Sequence, residues 1–198
     1  MEWKLKNVIQ ETSHPYLNFF TLVYEVKSNG DIKEYQYYLA SRHNKDELFA
    51  INQNSRPDGI IIPCYYKDEN GDISLLITSQ YRPALNHIVT SVPAGLMEKE
   101  DDIFTCAKRE ALEEAGVVID NLELIATSSP TSSGLSDELC SVVLGEIKEF
   151  KKNHLEEFED ITYRLIKLNE LEKMMEDPRY FFALNIRLLL KYLLIRWK

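Results

Sequence analysis

Ala107, Ala111 and Ala115 recur every fourth residue and place the strictest demand on how this chain can fold. In a helix of about 3.6 residues per turn they share one side. With Phe104 they make a narrow apolar edge that lets the helix approach a sheet closely. The same helix carries Glu110, Glu113 and Glu114 at i, i+3 and i+4, so three like charges are aimed together from another side. Taken alone, Glu-x-x-Glu-Glu is ordinarily a solvated acidic face. Its alternative is a cation: carboxylate oxygens suit Mg2+ or Mn2+, which complete their shells with water and phosphate.

The flanking residues favour the cation. Gly95 is followed after five residues by Asp101, after seven more by Arg109-Glu110, then by Glu113-Glu114 and Gly116-Val117. This resembles the Nudix box, G-x5-E-x7-R-E-U-x-E-E-x-G-U with U aliphatic, over its whole length. Asp101 stands where that family has Glu, and Ala111 fills the first aliphatic position. Gly116 at the helix end suits a left-handed residue, and Gly95 suits a tight loop that turns a backbone carbonyl toward the acidic side.

Size and charge narrow the partners. The chain has 198 residues, 44% of them hydrophobic, enough for one sizeable core. A net charge of −9 with no basic stripe argues against nucleic acid as a partner. It also makes an anionic substrate awkward without metal ions. Cys64, Cys106 and Cys140 are odd in number, show no zinc spacing, and read as reduced core residues. The start, Met-Glu-Trp-Lys-Leu-Lys, lacks the apolar core of a signal peptide, so a cytoplasmic address is expected. Tyr180 to Trp197 is broadly apolar but broken by Asn185, Arg187 and Lys191, which predicts a buried or interface helix rather than a membrane span.

Taken in order, Phe19 to Val26 and Ile32 to Leu39 flank Asn29-Gly30, the strongest short hairpin signal a sequence offers. His43 to Arg56 is polar and reads as a loop or a short helix. Gly59 to Tyr66 and Ser74 to Gln80 flank Asn70-Gly71 as a second hairpin, with Ile60 to Ile62 as a buried strand. Leu122 to Ala126, Leu139 to Glu146 and Ile161 to Ile166 are further strands, and residues 127–138 read as a Ser/Thr/Gly/Pro loop. Residues 147–160 form a charge-rich stretch. Leu168 to Met175 and Tyr180 to Trp197 are helices. His14, His43, His87 and His154 are scattered surface or turn residues, and no Ser/His or Cys/His pair offers a nucleophile. The periodicity by itself gives an α/β class.

The resemblance implies more. It covers roughly residues 57–198 as a Nudix domain, an α/β/α sandwich around a mixed sheet, with residues 1–56 as an added antiparallel β unit. Gln80-Tyr81-Arg82-Pro83, Pro93-Ala94-Gly95 and Ser136-Asp137-Glu138 are similar to segments of ADP-ribose and ADP-sugar pyrophosphatases, in which such an N-terminal unit builds a homodimer and contributes to the substrate site. The implied reaction is Mg2+-dependent hydrolysis of a nucleoside diphosphate sugar, ADP-ribose first, with Mn2+ as the other metal. Implied ligands are Glu110, Glu114, the Ala94 carbonyl, and Glu113 or Glu159. Glu157 is the implied base, with Glu110 and Arg109 completing the catalytic set and Arg109 orienting its neighbours. Arg82 reads first as an ordinary surface cation, with a bidentate grip on phosphate as the alternative. Leu96 would touch substrate through its backbone, and Glu138 would hold ribose. Phe19, Phe20, Tyr35, Tyr37 and Tyr38 read first as core and sheet surface, with adenine stacking as the alternative. Two readings stay open beside this one: a GDP-sugar or dinucleoside polyphosphate substrate, and a nucleotide-sugar sensor that does not hydrolyse.

Overall fold

A computed structural model describes residues 1–155 and 160–197. The chain divides into two compact units, Met1–Asp58 with Ser128–Cys140, and Gly59–Thr127 with Ser141–Lys198.

The first unit is built on β1 (Glu2–Gln10), β2 (Asn18–Ser28) and β3 (Asp31–Ser41), an antiparallel sheet in the order β1-β2-β3. Asn29 and Gly30 take φ of +52° and +91° between paired Ser28 and Asp31, the left-handed two-residue turn that Asn-Gly favours. Val8, Phe20, Leu22, Leu39 and Leu48 form its core. Residues 43–56, open between loop and helix in the sequence, contain a short α1 (Phe49–Asn52). Phe20 is core, whereas Phe19 stacks on Tyr38 at 6.2 Å and Tyr35 meets Trp3 edge-on at 5.4 Å.

The second unit holds a mixed sheet. Its strands are β4 (Gly59–Ile61), β5 (Cys64–Lys67), β6 (Ile73–Arg82), β7 (His87–Ser91), β8 (Ala94–Leu96), β9 (Val117–Pro130), β10 (Leu139–Phe150) and β11 (Ile161–Lys167). They run in the order β11-β6-β5-β10-β4-β8, with β7 on β6 and β9 on β10. β5 and β10 are parallel, and the β4–β8, β5–β6, β6–β7 and β6–β11 pairs are antiparallel. The run expected from Gly59 to Tyr66 is two strands, because Pro63 has no N–H to continue a ladder. Asn70-Gly71 does join β5 to β6, but in a five-residue connection, 68–72, where Asp68 Oδ1 accepts from the amides of Asn70 and Asp72.

Alternation along the strands supplies two faces. Ile60, Ile62, Cys64, Leu76, Val143 and Ile147 pack on α2 (Ile103–Ala115) through Cys106, Ala107, Ala111 and Ala115. Leu75, Ile77 and Leu144, one residue out of phase, pack on α3 (Leu168–Glu176) and α4 (Leu184–Arg196) through Leu171, Met174, Ile186, Leu190 and Leu193. The result is the expected α/β/α layering. The alanine edge is buried completely, but Phe104 is not part of it: that side chain is 44% exposed and Ile103 packs against the core instead. Among the described residues no helix is long and apolar enough to cross a membrane.

Candidate active site

The loop after β8 and the helix α2 place the box residues. Asp102 caps α2, its carboxylate accepting from the amides of Phe104 and Thr105 at 2.8 and 2.9 Å. At the other end Gly116 takes a left-handed φ of +61°. Four buried small side chains hold the helix close to the sheet, so its glutamates emerge beside β8.

Glu110 lies directly over the Gly95 backbone: a Cβ at position 95 would stand 1.9 Å from its Cδ and 2.1 Å from both oxygens. Any larger residue at position 95 would push the Glu110 carboxylate out of this seat. Glu114 is 92% buried in relative terms, being only 8% exposed, and its Oε2 accepts the Ala94 amide at 2.9 Å. Antiparallel pairing of Ala94 with Ile61 and Gly95 with Ile60 fixes that backbone.

Arg109 binds the group together. Its Nη1 donates to Glu110 Oε1 at 2.8 Å and Glu113 Oε2 at 3.1 Å, and its Nη2 to Asp101 Oδ2 at 2.8 Å and the Leu96 carbonyl at 3.1 Å. Burial opposes the guanidinium charge, but hydrogen bonds to Asp101 and Glu110 outweigh it and push the arginine pKa up. Arg109 therefore stays charged while its fork holds these neighbours. Asp101, one methylene shorter than the Glu of the pattern, still reaches Arg109 and also accepts the Glu98 amide at 3.1 Å. The Arg109 contact holds its carboxyl below the usual range. Cys106 lies beneath, its thiol pushed up to about 12 by burial, so it is a neutral wall of the site.

These contacts bring together Ala94, Leu96, Arg109, Glu110, Glu113 and Glu114. Arg82 is exposed at the end of β6. Glu138 belongs to the first unit, where its carboxylate accepts the Thr131 hydroxyl at 2.7 Å and lies 3.6 Å from Arg42. Glu157 and Glu159 lie outside the described residues. Among the described residues no set of three His, Cys, Asp or Glu side chains is drawn in as tightly as a bound metal requires. Glu113, 46% exposed, is turned to Arg109. Two carboxylates nevertheless stand on adjacent backbone positions: Glu110 in the cradle left by Gly95, and Glu114 tied to Ala94. That donor set fits a hard dication.

Sequence reasoning did not find the tie from Glu114 to the Ala94 amide, since no residue type marks a backbone donor. Nor did it find the partner of His43, a partly exposed residue in a bend, whose Nε2 lies 2.7 Å from Asp58 Oδ1.

A family model described as the NUDIX domain matches residues 56–184. The chain belongs to the NUDIX family. ADP-ribose pyrophosphatase of Bacillus subtilis (strain 168) is 30% identical over 111 residues, 55% of this chain and 60% of the relative. ADP-ribose pyrophosphatase of Saccharomyces cerevisiae is 40% identical over 109 residues, 54% of this chain and 43% of the relative. Methanol dehydrogenase activator of Bacillus methanolicus is 28% identical over 109 residues, 54% of this chain and 58% of the relative. The chain thus matches 60% or less of the length of each. The solved structure of an ADP compounds hydrolase matches with a TM-score of 0.70 over 100% of this chain and 94% of that one. At 16% identity this is a likeness of fold. The loop after β8 and helix α2, which carry Glu110 and Glu114, lie within the NUDIX match.

Proposed function

We propose that the chain hydrolyses the diphosphate bridge of a nucleoside diphosphate sugar, ADP-ribose first, with Mg2+ and with Mn2+ as the alternative metal. The observation that carries this reading is the Glu110 carboxylate seated on Gly95 beside Glu114 in a NUDIX chain. The relatives named as ADP-ribose pyrophosphatases support the choice of substrate.

Glu110, Glu114 and the Ala94 carbonyl would hold the metal, with Glu113 or Glu159 adding to them. Bound there, the dication supplies charge neutralisation for the diphosphate. Arg109 would aim the carboxylates, and the Leu96 backbone is the edge offered to substrate. Arg82 would grip a phosphate oxygen and Glu138 a ribose hydroxyl. Water attacks one phosphorus in line as the bridging P–O bond breaks; a proton passes to a carboxylate, Glu157 being the candidate base. AMP and ribose 5-phosphate leave, and no covalent enzyme intermediate is needed. Residues 1–56 would pair two copies as a homodimer.

The test is direct: the purified protein, given ADP-ribose and Mg2+, should release AMP. Silence on a panel of nucleoside diphosphate sugars with either metal would refute the proposal, whereas faster turnover of a GDP-sugar would correct only the substrate.

A further inference from the structure

Helix α2 ends against the chain that leaves β10. A Cβ on Gly116 would lie 2.3 Å from the Lys151 carbonyl oxygen and 2.8 Å from the Asn153 nitrogen, so residues 151–153 rest on the helix end without intervening side chains. The last carbonyls of a helix have no donors within it. Here they receive them from this segment: the His154 amide donates to the Glu113 carbonyl at 2.9 Å, and Asn153 Nδ2 to the Glu114 carbonyl at 3.4 Å. The Lys151 amide donates to the Gly116 carbonyl at 2.6 Å. The two helix carbonyls capped in this way belong to the two glutamates that close the box. Asn153 is the part of the cap that depends on a side chain, and it is only partly exposed.

We infer that Asn153 is a positioning residue for the cation site. It fixes the backbone of Glu114, with His154 fixing that of Glu113, and so sets where the Glu114 carboxylate stands beside Ala94. Its chemistry suits the place. A neutral amide satisfies the negative end of the helix dipole without adding a cation that would compete for the carboxylates. An aspartate there would put a second acceptor against a carbonyl. The inference rests on the proposed reading of the box as a metal site.

Asn153→Leu nearly keeps the shape and the charge while removing the donor. Two readouts separate positioning from bulk stability: Mn2+ affinity of the full chain, from the paramagnetic resonance signal of free Mn2+, and kcat against KM for ADP-ribose with Mg2+. Expected are Mn2+ binding weakened about tenfold and a matching fall in kcat with KM little changed. Asn153→Gln, which retains an amide donor, should recover part of the Mn2+ affinity. Lys152→Ala, an exposed neighbour, should match the parent. Parental Mn2+ affinity in Asn153→Leu overturns the inference while leaving the proposed activity standing. Equal losses in the Leu and Gln variants, tracking a lowered melting temperature, also overturn it. A parent chain that neither binds Mn2+ nor turns over nucleotide would remove the proposed activity and this inference together.

Discussion

Two carboxylate groups in this molecule are neutralised in different ways. In the second unit Asp101, Glu110 and Glu113 surround Arg109 at 2.8 to 3.1 Å. In the first unit Asp58 pairs with His43 at 2.7 Å and accepts the Leu139 amide at 2.8 Å, while Asp137 accepts the Phe49 amide at 3.0 Å. A guanidinium is charged at every accessible pH, but an imidazole is a cation over only part of the range. The cation that aims the box acids is therefore itself independent of pH. The His43 pair instead holds the chain at Asp58 with a strength that pH controls.

The largest effect should come from the box. Glu114→Gln keeps the shape and an oxygen for the Ala94 amide but removes the charge from an 8% exposed position. Turnover of ADP-ribose should fall on the order of a hundredfold or more, with the circular dichroism spectrum unchanged. A Gln variant as active as the parent would break the claim that this carboxylate carries the chemistry. Next in size, Arg109→Lys replaces a fork that serves three carboxylates and the Leu96 carbonyl with a single ammonium. A loss of about tenfold in kcat is expected. Full activity in the lysine variant would show that charge alone, and not the fork, orders the site.

That contrast also marks what the sequence could carry. The alanine spacing, the glutamate triplet and Gly116 are local patterns, and helix α2 folds as they dictate because backbone geometry converts their spacing directly into faces. Asn29-Gly30 was equally legible, since few residues take the left-handed conformation its turn requires. What escaped depends on partners far apart in the chain. Residues 131–138 are the expected loop, entered only after β9 has run on to Pro130. But Asp58 and Leu139 exchange two hydrogen bonds and Ala40 donates its amide to the Leu135 carbonyl, so residues 128–140 belong to the first unit. Nothing in a Ser/Thr/Gly/Pro composition announces that. Phe104 shows the same limit from the other side: its spacing fits the alanine edge, yet in the first turn of α2 it is 44% exposed. Periodicity assigns a direction, and only packing decides whether anything stands in that direction to cover it.

The histidine cluster gives a smaller and pH-dependent effect. The hydrogen bond to Asp58 raises the His43 pKa above its ordinary 6.5. Burial pushes Asp58 up, but the His43 and Leu139 hydrogen bonds outweigh it and hold the carboxyl below 3.8. The histidine contribution is thus full below 6.5 and is lost as pH rises through its raised folded value. The aspartate contribution is present above 3.8 and is lost as pH falls through its lowered folded value. The pair stabilises most between those limits. Because His43 is partly solvated, His43→Gln should cost less than about 1 kcal/mol in urea unfolding at weakly acid pH. The difference should shrink in alkaline buffer, where both chains are neutral at position 43. A gap that stayed the same across that range would mean that packing, and not charge, ties Asp58 down.

The smallest effect separates the arginine from its setting. Arg196 donates to both oxygens of Glu123 at 2.8 and 2.7 Å, the same fork-to-carboxylate chemistry that Arg109 shows in the box. Here, however, the side chains are 33% and 48% exposed, and Arg196 lies at the carboxyl end of α4, where a cation is favoured by the helix dipole even without its partner. Water screens the pair, and the dipole leaves Arg196 a second source of stabilisation. Glu123→Gln is therefore expected to change urea stability by about 0.5 kcal/mol or less, to lose even that in concentrated salt, and to leave turnover unaltered. If this exposed fork proved as costly to break as the Arg109 fork, geometry alone would set the strength of such pairs. The partial burial of the box would then have no part in keeping its glutamates in place.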